Sequence, residues 1–461
     1  MYIGNIYLGC TGESQVKEHF EKQSLNDLGN PIGISGCSSI SAGCAAFPFA
    51  VFSSPFSFRY TFLLVGGCLL ASAVMGCNAL LLFVPAFCSV AVICSADPQQ
   101  VHRWAFFFQM TWQTLCHFWL QYKEYYLQET LPLLCFRFSI NLSALMLMSQ
   151  KVTSLALDIH ERKVRKGLPD EEKRSLKRHL LQALPFLTYL LSFPTLLGGP
   201  LCSFNRFQTW IRCSRGSLSA QSLWGATQRG LRALFLSLLK NVRKYVSSQA
   251  DLTSCAHFGC ISVMWTSALV FRLTYYSHWM LDESLLLAAG LGLELGQDPN
   301  TETVDGLLID TDIWTLETTH MVSVFTRTWN KSTAQWPRRL IFQRNASCPL
   351  LATSAFSAWW HGLHPDQVFG FLCWAVVVEA EYHFHHFFGT LVKSPLQRRL
   401  YQTLTWCYTQ LVVAYIMMAI EMRSLPMLRF LLFSYNSFFP LVYFISLLLL
   451  AKGRGGKPHN C

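Results

Sequence analysis

Apolar positions in this chain run in blocks rather than alternating with polar ones. The longest block, "TFLLVGGCLLASAVMGCNALLLFVPAFCSVAVICSA" over residues 61–96, far exceeds the roughly 18–20 apolar residues that one membrane-spanning helix needs. Gly76 and Asn78 divide it into two spans. The same reading predicts spans near 61–76, 79–96, 104–122, 131–149, 183–201, 256–281, 367–388, 401–421 and 427–451. Shorter or amphipathic helices are expected near 45–58, 222–245, 282–296 and 350–361, giving a total between nine and eleven. The expected fold is an all-α integral membrane protein, a polytopic bundle with some broken or re-entrant helices.

The polar interruptions organise the rest. Residues 1–44 are polar and rich in glycine and serine, with neither a basic n-region nor an apolar h-region, so they do not read as a cleavable signal peptide and are expected to be disordered. Residues 45–452 form the membrane domain, and 453–461 form a short polar tail. The segment 161–179 carries eight Lys or Arg and is expected on the cytosolic side. The acidic stretch 292–312 contains no basic residue and reads as a surface loop. "LLSFPTLLGGPLCSF" (190–204) places Pro194, Gly198, Gly199 and Pro200 inside an apolar run. Such backbone persists at membrane depth only where protein or a water-filled cavity satisfies its freed polar groups, so an internal cavity or re-entrant element is expected. No internal repeat is evident.

Composition agrees with a membrane location. Hydrophobic residues make up 52% and charged residues only 14%, against roughly 25% charged in a soluble domain. The formal net charge of +11 comes largely from Lys and Arg in short loops, which marks membrane orientation rather than a nucleic-acid partner. Seventeen cysteines show no C-x-x-C pair and are read as buried free thiols rather than a disulfide framework or zinc site.

Three segments carry candidate chemistry. In "SAFSAWWHGLHPDQVFGF" (354–371), a helix ending at Gly362 puts Ser354, Ala358 and His361 on one face, with Pro365 just beyond. An imidazole at such a break either bonds across helices or acts in function, and spacing leaves both readings open. "SVFTRTWNKSTAQWPRRL" (323–340) contains Arg327, Trp329 and Asn330 ahead of Arg338 and Arg339. Asn330 also opens a glycosylation sequon, as do Asn141 and Asn345. "EAEYHFHHFFG" (379–389) sets Glu379, His383 and His386 on one helical face. Interfacial histidines explain that run better than a metal site.

Taken together, "SAFSAWWHGLHP", "RTWNKSTAQW" and the "FPTLLGGP" break resemble the membrane-bound O-acyltransferase family. "DIWTLETTH" (312–320), "LTYYSHWMLDESLL" (273–286), "FFFQMTWQTLCH" (106–117) and "SYNSFFPLVY" (434–443) are similar to the branch that acylates a secreted peptide, and the resemblance covers about residues 45–452. It implies a catalytic pair, Asn330 and His361, 31 residues apart. It further implies an acyl-CoA-dependent protein-serine O-acyltransferase of the endoplasmic reticulum membrane. That enzyme moves octanoyl from octanoyl-CoA, a co-substrate, to a serine near the N-terminus of ghrelin or proghrelin through an internal tunnel.

The implied partners are that peptide, acyl-CoA and membrane lipids, with no nucleic acid, no bound cofactor and no metal. Arg327, Trp329, Trp360, His364, Arg338 and Arg339 are the expected substrate-binding residues, the arginines facing CoA phosphates and His364 shaping the turn. Asn330 either donates to the oxyanion or orients the imidazole. The first 44 residues depart from the apolar start of that branch, which implies an alternative beginning with the first span missing or shortened. The alternatives are a relative acting on a lipid or another secreted peptide, a histidine-dependent transporter, and a metal-dependent desaturase or hydroxylase.

Overall fold

The computed structural model of the protein describes residues 56–122, 132–164, 176–213, 220–247, 259–290, 293–295, 302–304, 312–345, 347–422 and 425–452. The polar start, most of the helix expected at 45–58, much of the basic segment 161–179 and the C-terminal tail lie outside these residues. The chain divides into two compact units: Met1–Arg232 with Trp279–Ile309, and Ala233–His278 with Asp310–Cys461.

Among the described residues, the first unit opens on α1 (Phe56–Met75), a 3-10 turn at Gly76–Ala79 and α2 (Leu80–Ser95). The turn falls where the sequence predicted the division, and Gly76 adopts a φ of 60° that favours glycine. Buried Asn141 donates its amide to the Asn78 carbonyl at 3.1 Å, filling the break and taking one sequon out of solvent. Next come α3 (Val101–Tyr122), α4 (Pro132–His160), α5 (Leu176–Leu191) and α6 (Phe204–Cys213). A Cβ built on Gly67 of α1 would lie 1.6 Å from the Leu191 carbonyl oxygen of α5. The two helices meet backbone to backbone there, as small residues allow in membrane bundles.

The interrupted segment 190–204 is a 3-10 turn at Phe193–Thr195 followed by irregular chain up to α6. Protein groups satisfy its backbone. The ammonium of Lys151 on α4, almost fully buried, donates to the Thr195 carbonyl at 2.7 Å and to its hydroxyl at 3.0 Å. The Tyr189 hydroxyl donates to the Cys202 carbonyl at 2.6 Å, and Asp282 accepts from the Gly199 N–H at 3.0 Å.

α7 (Ala220–Ser247) and α8 (Gly259–Ala288) contribute to both units. The acidic stretch is not loop throughout: β1 (Leu293–Leu295) pairs antiparallel with β2 (Glu302–Val304), Leu293 opposite Val304. The second unit holds α9 (Ile313–Thr318), α10 (Val322–Thr328), α11 (Lys331–Leu340), α12 (Pro349–His361), α13 (Pro365–Leu391), α14 (Pro395–Glu421), α15 (Leu425–Phe433) and α16 (Phe438–Lys452). Helix α13 packs on α12, α14 and α16.

Among the described residues, two stretches, Phe56–Ser95 and Pro395–Glu421, are long and apolar enough to cross a membrane. The pair Leu425–Phe433 and Tyr435–Leu449, bent by 70°, makes up to three. The other expected spans, near 104–122, 131–149, 183–201, 256–281 and 367–388, fall on helices α3, α4, α5, α8 and α13, and three of these carry a buried charge: Lys151 in α4, Arg272 in α8 and Glu381 in α13. The span expected at 427–451 breaks around Tyr435–Ser437. The thiols are not uniformly buried either. Cys77, Cys88, Cys94 and Cys407 are exposed on helix faces, Cys116 and Cys202 are buried, and Cys260 takes part in a disulfide.

Candidate active site

Pro365 cannot continue a helix through its own N–H, and Gly362 tolerates the left-handed conformation that closes one; together they fix the turn after His361. Helix α12 accordingly ends at His361, with Gly362 at φ 119°. The Gly362 N–H bonds the Trp359 carbonyl and the Leu363 N–H bonds the Ala358 carbonyl, each at 3.1 Å, the paired closure of a Schellman motif. Leu363 is also left-handed, at φ 61°. His364 then serves as N-cap of α13, its carbonyl accepting from the Val368 N–H at 2.8 Å.

The His361 imidazole is half-buried. It stacks on Phe371 at 4.9 Å and meets the edge of Trp360 at 4.8 Å. Ser354 and Ala358, the small residues of the expected seam, are buried behind it.

Asn330 sits at the other end of the candidate pair. Helix α10 stops at Thr328, and Asn330 adopts φ 45° and ψ 63° as N-cap of α11. Asparagine occupies this left-handed region more readily than most residues. Its carbonyl starts α11 by accepting from the Ala334 N–H at 2.9 Å, and its side chain is buried, which argues against the sequon reading. Trp329 stacks on Phe325 at 5.5 Å and packs on Tyr275 and Tyr276 of α8 at 5.6 and 5.9 Å.

Arg327 is exposed and donates Nε–H to the Ser323 carbonyl at 3.1 Å. Arg338 and Arg339 occupy the last turn of α11. They lie about 12 Å along the helix from Asn330, at the carbonyl end whose dipole favours cations. Between them Trp336, buried, packs on Phe356 at 5.3 Å and on Trp360 at 5.1 Å. Helix α11 therefore runs from the Asn330 turn to the aromatic residue beside His361.

Sequence reasoning missed the buried charges that surround these segments. Glu381 of α13 is fully buried, and its two carboxylate oxygens accept the Val322 and Ser323 N–H groups at 2.5 and 2.8 Å. Trp374, two turns earlier, donates its indole N–H to the Thr326 hydroxyl at 2.5 Å. Arg272 of α8, also fully buried, donates Nη1 to Glu317 at 3.1 Å and to Gln410 at 2.7 Å. Glu317 in turn accepts from the Tyr276 hydroxyl at 2.8 Å. The only signal in the sequence is charge within an apolar run, a single arginine in "VFRLTYY" and two glutamates in "VVVEAEYHF".

The run 379–389 divides differently from its helical stripe. Glu379 pairs with His383 at 3.5 Å near the surface, while inward-facing His385 bonds the Tyr401 hydroxyl at 2.6 Å and lies 3.9 Å from Glu381. Among the described residues no group of three or more His, Cys, Asp or Glu is gathered as a metal site would need.

Comparison with known proteins gives these positions a context. The profile of the membrane-bound O-acyltransferase family matches residues 99–420, which includes α10 to α13 and both candidate residues. The chain belongs to the membrane-bound O-acyltransferase family. It is 53% identical over 427 residues to membrane-bound ghrelin O-acyltransferase MBOAT4 of Rattus norvegicus, covering 90% of this chain and 96% of the relative. The Mus musculus protein of the same name is 53% identical over 420 residues, 88% and 95% of the two chains. Membrane-bound glycerophospholipid O-acyltransferase 1 of Homo sapiens is 28% identical over 402 residues, 80% of this chain and 77% of that one. The protein is thus a helical membrane acyltransferase that uses an acyl donor as co-substrate.

Proposed function

We propose that this acyltransferase transfers octanoyl from octanoyl-CoA to a serine near the N-terminus of ghrelin or proghrelin, in the endoplasmic reticulum membrane. The observation that carries this reading is the 53% identity maintained across 96% of the rat ghrelin O-acyltransferase. The glycerophospholipid relatives match at about half that identity.

In the proposed mechanism His361 is the general base. It takes the proton from the serine hydroxyl as the oxygen attacks the thioester carbonyl. The new ester C–O bond forms, the C–S bond breaks, and the departing CoA thiolate recovers the proton from the imidazolium. General-base assistance of this kind is worth about 10²–10⁴-fold. The place of His361 at the end of α12, half-buried against Phe371 and Trp360, supports the role by limiting water around the imidazole.

Asn330 donates its side-chain amide to the developing oxyanion or holds the imidazole. Loss of one such donor costs about 10²–10³-fold. Trp329, Trp360 and His364 shape the walls and turn of the acyl tunnel, and Arg327, Arg338 and Arg339 meet the CoA phosphates. Exposure of Arg327 and Arg338 supports the last assignment.

The test is detergent-purified protein given octanoyl-CoA with either a peptide beginning Gly-Ser-Ser or a glycerophospholipid acceptor, with product read by mass. Octanoyl-peptide is expected. Acyl transfer to the lipid alone contradicts the reading.

A further inference from the structure

Helix α13 begins four residues after His361, and α10 ends two residues before Asn330. Two side chains of α13 hold α10. Glu381 takes the first two N–H groups of α10, Val322 at 2.5 Å and Ser323 at 2.8 Å, one on each carboxylate oxygen. These are donors that a helix start leaves without an intrahelical partner, and a negative group is favoured at that end.

Trp374 lies seven residues earlier on the same face of α13. It donates to the Thr326 hydroxyl, which itself donates to the Val322 carbonyl at 2.7 Å, and its ring contacts Phe325 at 6.2 Å. α10 is therefore gripped at its start and near its end. Its seven residues cannot hold a fixed position alone.

We infer that Glu381, with Trp374, is a positioning residue for acyl transfer: by clamping α10 to α13 it sets where the left-handed Asn330 turn stands relative to His361. The inference rests on the reading of Asn330 and His361 as the reacting pair. Glu381 does not touch substrate. It acts by placing Asn330, so its removal should appear in kcat and not in the KM for the peptide.

The test measures kcat and KM for octanoyl-CoA and peptide in wild type, Glu381→Gln, Asn330→Ala and the double variant, with equal amounts of monodisperse protein. Gln keeps the volume and one acceptor oxygen but replaces the other with an N–H₂ facing a backbone donor. Glu381→Gln is expected to lower kcat about 10²-fold, the scale of an ångström-size misplacement, with the peptide KM within about twofold, while the octanoyl-CoA KM rises because α10 also carries Arg327. In the Asn330→Ala background the same change is expected to cost less than about threefold, because coupled residues are not additive.

Unchanged kcat in Glu381→Gln, or the same loss in both backgrounds, overturns the inference while leaving the catalytic pair intact. Full activity in Asn330→Ala overturns the pair and this inference with it. Should Glu381→Gln fail to fold, Trp374→Phe carries the test. It removes the Thr326 bond while keeping a ring on Phe325, and a threefold or greater drop in kcat that vanishes without Asn330 is expected. Wild-type kcat in Trp374→Phe refutes the clamp.

Discussion

At the scale of single residues, the proposed chemistry hangs on a turn that is spelled out locally in the chain. Gly362 and Pro365 are local stop signals, so the end of α12 at His361 was legible without any tertiary contact. Asn330 was legible only by resemblance: nothing in its neighbours announces a left-handed N-cap, and its sequon pointed to the surface instead. Gly362→Ala tests the turn. A side chain at φ 119° costs roughly 1–2 kcal/mol, and relief of that strain must rotate the last turn of α12. A kcat at least tenfold lower, with the protein still monodisperse, is the expected outcome, measured as octanoyl-peptide formed per minute. Wild-type kcat would show that the imidazole does not depend on this closure.

Among the elements, apolar faces were legible in the residue pattern but the polar ties between them were not. Lys151, Arg272 and Glu381 each meet partners tens of residues away, and a one-dimensional pattern contains no information on such pairings. In the 379–389 run the helical stripe of Glu379, His383 and His386 drew the eye. Burial instead selects Glu381 and His385, turned by about half a circle on the same helix.

Gly67→Ala puts a Cβ against the Leu191 carbonyl, and backbone cannot yield as a side-chain tip can. Overpacking of this kind costs about 1–3 kcal/mol. A lower thermal midpoint in detergent is expected, and an unchanged one contradicts the close approach of α1 and α5.

Asp312 caps α9, its carboxylate accepting from the Thr315 hydroxyl and N–H at 2.5 and 3.1 Å. Those bonds, the hydroxyl first, hold its pKa below the ordinary aspartate value. Its contribution is therefore complete above that ordinary value and is lost as pH falls through the lowered one. Asp312→Ala should cost up to about 1 kcal/mol near neutral pH, at the modest end because the residue is exposed. The difference in midpoint between variant and wild type should close in acid. A difference that persists there contradicts the cap.

For the molecule as a whole, composition and block hydropathy established a helical membrane protein, and what they could not show is which charges within the helices are buried. Family membership rests on the profile over 99–420, and the acceptor on near-full-length similarity to ghrelin O-acyltransferases. The structure adds a second unit in which α11 links the Asn330 turn to Trp360 and α13 ties the segment behind it. The central claim is that His361 is the base of acyl transfer. Its most direct test is octanoyl transfer to a Gly-Ser-Ser peptide by purified wild type and His361→Ala, followed by mass. Product from wild type and a loss of at least about 10²-fold in the variant is the predicted result, and retained activity in His361→Ala would contradict it.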